Sequence, residues 1–115
     1  MKEKKSLKEE MTEERLWETL VEFQHYPFRT YSGLPFTYTI KVGKNGEYNR
    51  ELLVSRRKGS KTLAWSSIRM AFARAKELQG SVIRRPKDIG DIRGISYIYA
   101  MFLEWGSSSA TVTIR

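Results

Sequence analysis

The sequence predicts an α+β domain. It comprises an N-terminal helix, an antiparallel β-hairpin or three-stranded sheet, an amphipathic basic helix packed on it, and a short apolar C-terminal helix. Three observations predict it. Phe36 to Val42, FTYTIKV, alternates and is rich in aromatic and β-branched residues, which suit a pleated, half-buried surface. Asn45-Gly46 follows, a strong signal for a tight hairpin turn, and Tyr48 to Arg56 returns as the partner strand. From Ala64 onward, Trp65, Ile68, Ala71, Phe72, Ala75 and Leu78 recur at spacings that stack them on one face of a 3.6-residue helix.

In chain order, residues 1–11 are charged with both signs and nearly free of apolar side chains, so they are expected to be disordered or frayed. A first helix is expected at about 12–24, with Glu13 and Glu14 at its positive end and Leu16, Leu20 and Phe23 facing the core. The Tyr26-Pro27 step ends it, because the residue before proline avoids the helical region. Phe28 to Tyr31 reads as a short strand and Ser32-Gly33-Leu34-Pro35 as a turn. Ser60 or Thr62 is expected to cap the second helix, and Gly80 to follow its end. Residues 80–95 have no sustained period and are broken by Pro86, Gly90 and Gly94, which reads as a long connection. Ile95 to Trp105 is apolar nearly all round, the pattern of a buried helix, and Gly106 stops it. Residues 12–106 thus read as one domain. Residues 107–115 read as a tail, with a spacer at 107–109 and a strand at 110–115. The expected core is Leu16, Leu20, Phe36, Tyr38, Ile40, Leu52, Val54, Ile68, Ala71, Phe72, Ala75, Ile98, Phe102 and Leu103.

A chain of 115 residues buries about two-thirds of its unfolded surface and needs no staple. Cysteine is absent, which excludes disulfides, thiolate metal sites and a cysteine nucleophile. No apolar run reaches membrane-spanning length, and the first residues do not resemble a signal peptide, so the cytoplasm is expected. The net charge of +8 is unevenly spread: residues 56–93 carry 11 basic and 3 acidic side chains. Such clustering attracts polyanions.

The expected partner is nucleic acid, DNA or structured RNA. The candidate contacts are Arg56, Arg57, Lys58, Ser60 and Lys61 in a basic turn, Arg69 and Arg74 on the outer helix face, and Arg84 and Arg85 beyond it. Arginine and lysine bond phosphate oxygens, and a helix N-terminus beside Lys58 and Lys61 would add free N–H donors. The alternative is a solvated surface, with basic stems laid over Trp65. Tyr38 or Tyr48, if exposed, could stack a base, although such residues more often fill a core. His25 reads as a surface residue closing the first helix. Asp88 and Asp91 are weak as a metal pair, and Asp88 better suits a turn cap or a partner for Arg85. No catalytic triad, phosphate loop or metal motif is present in the sequence, so neither an enzyme, a cofactor nor a small-molecule substrate is expected. A second reading is a protein–protein interaction or dimerisation module anchored by the aromatic C-terminal helix. A monomer or weak homodimer is expected, because burial of that helix within the chain is the better fit.

The runs FRTYSGLPFTYTIK and RELLVSRR, a helix and then SYIY resemble small bacterial proteins of unassigned function, which implies no activity. The order helix, two or three strands, basic-started helix also resembles a double-stranded-RNA-binding domain, on Ser60-Lys61 with Ala64 and the Ala71, Ala73, Ala75 run. That resemblance implies lysines gripping phosphates at the start of the last helix. Thr62 and Trp65 stand where further lysines of the motif would be. A three-stranded integrase-type DNA-binding domain is similar to about the same degree, and implies contact through the sheet.

Overall fold

The computed structural model describes residues 12–78, 82–105 and 113–114. The expectations for residues 1–11, for Gly80, and for Gly106 with its spacer lie outside them. Among the described residues the chain runs α1 (Glu13–Glu22), β1 (Phe28–Arg29), β2 (Pro35–Val42), β3 (Tyr48–Arg56), β4 (Gly59–Ala64), α2 (Trp65–Glu77), β5 (Val82–Ile83), a 3-10 turn (Pro86–Asp88), α3 (Ile95–Trp105) and β6 (Thr113–Ile114). The arrangement is α+β, with a four-stranded antiparallel sheet in the order β1-β2-β3-β4. β5 and β6 pair separately, in parallel. No helix of the described residues is long and apolar enough to cross a membrane.

α1 starts where its cap allows. The Thr12 hydroxyl accepts from the Arg15 amide at 3.1 Å, satisfying one of the free donors of the first turn. Leu16 and Leu20 are fully buried. His25 takes a left-handed backbone (φ 72°) that turns the chain, and its amide donates to Tyr38 O at 2.9 Å. The chain is therefore tied to β2 as soon as α1 ends.

In the sheet, Phe36, Tyr38 and Ile40 of β2 are buried. Register sets Tyr38 opposite Val54, Ile40 opposite Leu52, and Leu52 opposite Leu63. Paired residues share a face, so these side chains form one apolar layer under the helices. Each fully buried side chain of this size contributes roughly 1.5–3 kcal/mol. The Tyr38 hydroxyl reaches out of that layer and donates to Leu20 O at 2.6 Å, locking sheet to α1. Tyr38 is fully buried, the core place expected of it, so the base stacking that exposure would have allowed does not arise. The opposite face carries Thr37, Thr39, Leu53, Ser55, Ser60 and Thr62, half-buried or exposed. β2 slips register between Ile40 and Val42, and Gln24 Oε1 accepts from the Ile40 amide at 2.8 Å there.

The largest departure from expectation is β4. The basic turn does not lead into a helix, and neither Ser60 nor Thr62 caps one. α2 begins at Trp65, with Ala64 as N-cap and no side-chain cap bond. Residues 59–64 are extended because Leu63 completes the apolar row beside Leu52 and the chain needs a strand to put it there. α2 then lays Ile68, Ala71, Phe72 and Ala75 on the sheet.

The stretch 82–92 is pinned rather than open. Ile83, Ile89 and Ile92 are buried, and Asp88 Oδ2 accepts from the amides of Arg84 (2.8 Å) and Arg85 (3.2 Å). α3 buries Tyr99, Phe102 and Trp105 in the same core and packs on β1, α2 and the 3-10 turn. Of the expected core, only Leu103 is partly exposed. Phe28 and Leu63 join it.

Candidate nucleic-acid interface

The β3–β4 connection is as short as a hairpin permits. Arg56 pairs with Gly59, leaving Arg57 and Lys58 as a two-residue turn. Gly59 sits at φ +112°, a backbone that side-chain-bearing residues rarely adopt, so the turn depends on it. The geometry pushes Arg57 and Lys58 outward, and both are exposed. Arg56 shares a face with Val54 and leans toward α3. Its Nη1 donates to the Tyr97 hydroxyl at 2.6 Å and its Nε to Gly59 O at 3.3 Å.

The β1–β2 turn comes up beside this tip. Arg29 donates to Gly33 O at 3.0 Å. Arg29, Gly33, Leu34, Pro35, Arg56, Arg57, Lys58 and Tyr97 together line a cavity of about 520 Å³. A second recess of about 450 Å³ shares Pro35, Arg56 and Arg57 with it. Among the described residues no carboxylate lines either space. Four cations with no carboxylate among the described lining residues give a locally positive potential, focused by the concave surface.

Of the residues expected to form the site, the structure brings Arg56, Arg57 and Lys58 together. Ser60 and Lys61 are exposed on β4 and line neither space. They do not flank a helix N-terminus, because the helix starts four residues after Lys61. The lysine grip implied by the double-stranded-RNA-binding resemblance is therefore not formed at Lys61. Arg69 and Arg74 lie on α2 and are already paired. Arg69 Nε is 3.1 Å from Glu13 Oε1. Arg74 Nη1 is 2.9 Å from Glu77 Oε1, and its Nε donates to Ile89 O at 3.3 Å. Arg84 and Arg85 are exposed on the 82–92 segment. There Asp88 lies 4.0 Å from Arg85 Nε. The Arg84 amide, above all, holds the Asp88 carboxyl below its ordinary range, with help from the Arg85 amide and both guanidinium groups. Among the described residues no cluster of three histidine, cysteine or acidic side chains could hold a metal ion. Arg29 was not expected. Only the pairing of Arg29 with Pro35 across β1 and β2 brings it to the tip.

A third cavity, about 510 Å³, lies between α1 and α2. Glu13, Glu14, Trp17, Glu18, Arg50, Trp65 and Arg69 line it. Trp17 and Trp65 meet edge to face at 5.2 Å, and the Arg50 guanidinium lies 4.0 Å from the Trp17 ring centre. Trp65 is thus half-buried against α1. Tyr48 is exposed, but its hydroxyl accepts from Gln24 Nε2 at 3.1 Å and its ring abuts Trp17.

No family model, curated protein or solved structure matches this chain.

Proposed function

We propose that this protein binds nucleic acid, chiefly through phosphate groups, at the tip formed by the β3–β4 and β1–β2 turns. The observation that carries the reading is the gathering of Arg29, Arg56, Arg57 and Lys58 around a concavity whose described lining residues include no carboxylate. Arg57 and Lys58 offer free donors to phosphate oxygens. Arg29 and Arg56 are oriented by backbone and tyrosine bonds, so less freedom is lost when they engage a ligand. Beside the tip, the hydroxyls of Thr37 and Ser55 add neutral donors on the sheet face opposite the buried row. The aromatic helix supports the interaction-module alternative less well. Its Tyr99, Phe102 and Trp105 are buried within the chain and unavailable as anchors.

Mobility-shift titration at several salt concentrations tests the proposal. If about four phosphates are neutralised, log K should fall against log salt with a slope of roughly −3 to −4. Lys58→Gln should flatten that slope by about one. Duplex DNA, duplex RNA and single strands should each be tried. Failure of all of them to bind near ~100 mM salt would remove the reading.

A further inference from the structure

We infer that the cavity beside the Arg57-Lys58 turn takes one nucleotide unit of an unpaired strand, base and phosphate together, so that single strands bind more tightly than duplex. The inference rests on the nucleic-acid reading above and adds to it the form of the ligand.

Size is the first argument. A cavity of about 520 Å³ falls within the roughly 300–1,000 Å³ that pockets for small organic groups occupy. A nucleotide fits such a space and a duplex does not. Composition is the second. The cations sit with Leu34, Pro35 and the Tyr97 ring, so charge and apolar surface line one cavity. Leu34, 64% exposed, lines the cavity, and Tyr31, 60% exposed, lies outside the lining in the same β1–β2 turn; both are among the few large apolar side chains facing solvent in the described chain. A partner recognised by phosphate alone would gain nothing from them. An unstacked base presents a flat apolar face next to its own phosphate, and that combination matches the lining.

The exposure of Leu34 is built into the turn. Thr30 N donates to Leu34 O at 2.9 Å, and Leu34 N donates to Thr30 Oγ1 at 3.0 Å. Arg29 closes the same turn through Gly33 O. Tyr31 is braced edge to face on buried Tyr99 at 6.1 Å. Tyr97 is held by Arg56 on its hydroxyl and by Phe36 against its ring, 5.0 Å away at 77°. Leu34 and Tyr97, which line the cavity, are therefore held in place before binding, which lowers its ordering cost. In a duplex the bases are stacked inside, and only the phosphates could reach the cations.

The test compares three probes by fluorescence anisotropy or competition: a short oligothymidylate, a duplex of the same length, and inorganic polyphosphate as an anion without bases. Oligothymidylate should bind the full chain about tenfold more tightly than the duplex. Leu34→Ser should weaken oligothymidylate about three- to tenfold and leave duplex and polyphosphate unchanged. Leu34 is exposed, so the variant should fold, and an unaltered melting curve will verify it. Equal affinity for oligothymidylate and duplex, or an oligothymidylate affinity indifferent to Leu34→Ser, would overturn the inference while leaving phosphate binding in place. Absence of binding to all three probes would overturn both.

Discussion

Two regions of this molecule are built from nearly the same side chains and are prepared for different things. The tip gathers Arg29, Arg56, Arg57 and Lys58 with Tyr97, and no acid stands among its described lining residues. The α1–α2 cavity gathers Arg50 and Arg69 with Trp17 and Trp65, and three glutamates line it. Its cations are satisfied internally, Arg69 by Glu13 and Arg50 by two indole rings. The contrast shows why counting basic residues misleads. A cation is available to a partner only when the chain has not already given it one. α1 supplies the acids that close the second region, and among the described residues no acid lines the first.

Exchanging the charges breaks the comparison most directly. Arg57→Glu with Lys58→Glu should cost at least about a hundredfold in affinity for nucleic acid, while the fold is retained, because both side chains are exposed in a two-residue turn. Arg50→Glu with Arg69→Glu should change affinity by no more than about twofold, since those cations are already paired. Parallel binding titrations of the two double variants, with melting curves, decide between the regions. Equal losses of affinity would mean the pairing at α1 does not matter.

The next effect concerns stability. Trp17→Ala removes the ring that joins Trp65, Tyr48 and Arg50. It should lower unfolding free energy by about 2 kcal/mol, somewhat less than a fully buried tryptophan would. Chemical denaturation will measure this, and nucleic-acid affinity in native conditions should not move. A smaller effect sharpens the same contrast. Glu13→Gln frees Arg69 from its pair and should raise polyanion affinity by about twofold, with a steeper salt dependence. The smallest effect is local and acidic. Asp88 titrates below the ordinary carboxylate range in the folded chain, so its contribution is complete at neutral pH. That contribution is lost as pH falls through its lowered value. Amide exchange at Arg84 and Arg85, whose N–H groups it accepts, should then accelerate while the sheet amides stay protected.

The parts legible in the sequence were those whose pattern is local. FTYTIKV alternates, Leu52 and Val54 fall on one face of the returning strand, and the buried stripe of α2 repeats at helical spacing; the structure follows all three. β4 was misread because Ser60 and Thr62 resemble caps, and because one apolar residue, Leu63, is too little to declare a strand. Its strand character comes from the neighbour: Leu52 across the ladder needs a partner in the apolar row. Residues 83–92 looked irregular for a related reason. Ile83, Ile89 and Ile92 follow no period, and each is buried by tertiary packing on its own. At the candidate site, Arg56 to Lys58 stood out as a run of charge. Arg29 could not, since 27 positions separate it from Arg56 and only the β1-β2-β3 register brings them together. Nor could the sequence reveal that Arg69 and Arg74 are occupied, because one of those pairs depends on how α1 lies against α2.

Lys61 acquires a different meaning from its place in the sheet. The strand order leaves β4 at the edge, where a row of unpaired backbone groups could accept a strand from another molecule. Lys61 is paired with Val54, on the same side as buried Leu63, so it stands on the inward-facing row of that edge. A second sheet adding here would have to cover an ammonium group next to the buried row of Leu52, Val54 and Leu63. That desolvation penalty guards the chain against growing into a continuous sheet with copies of itself.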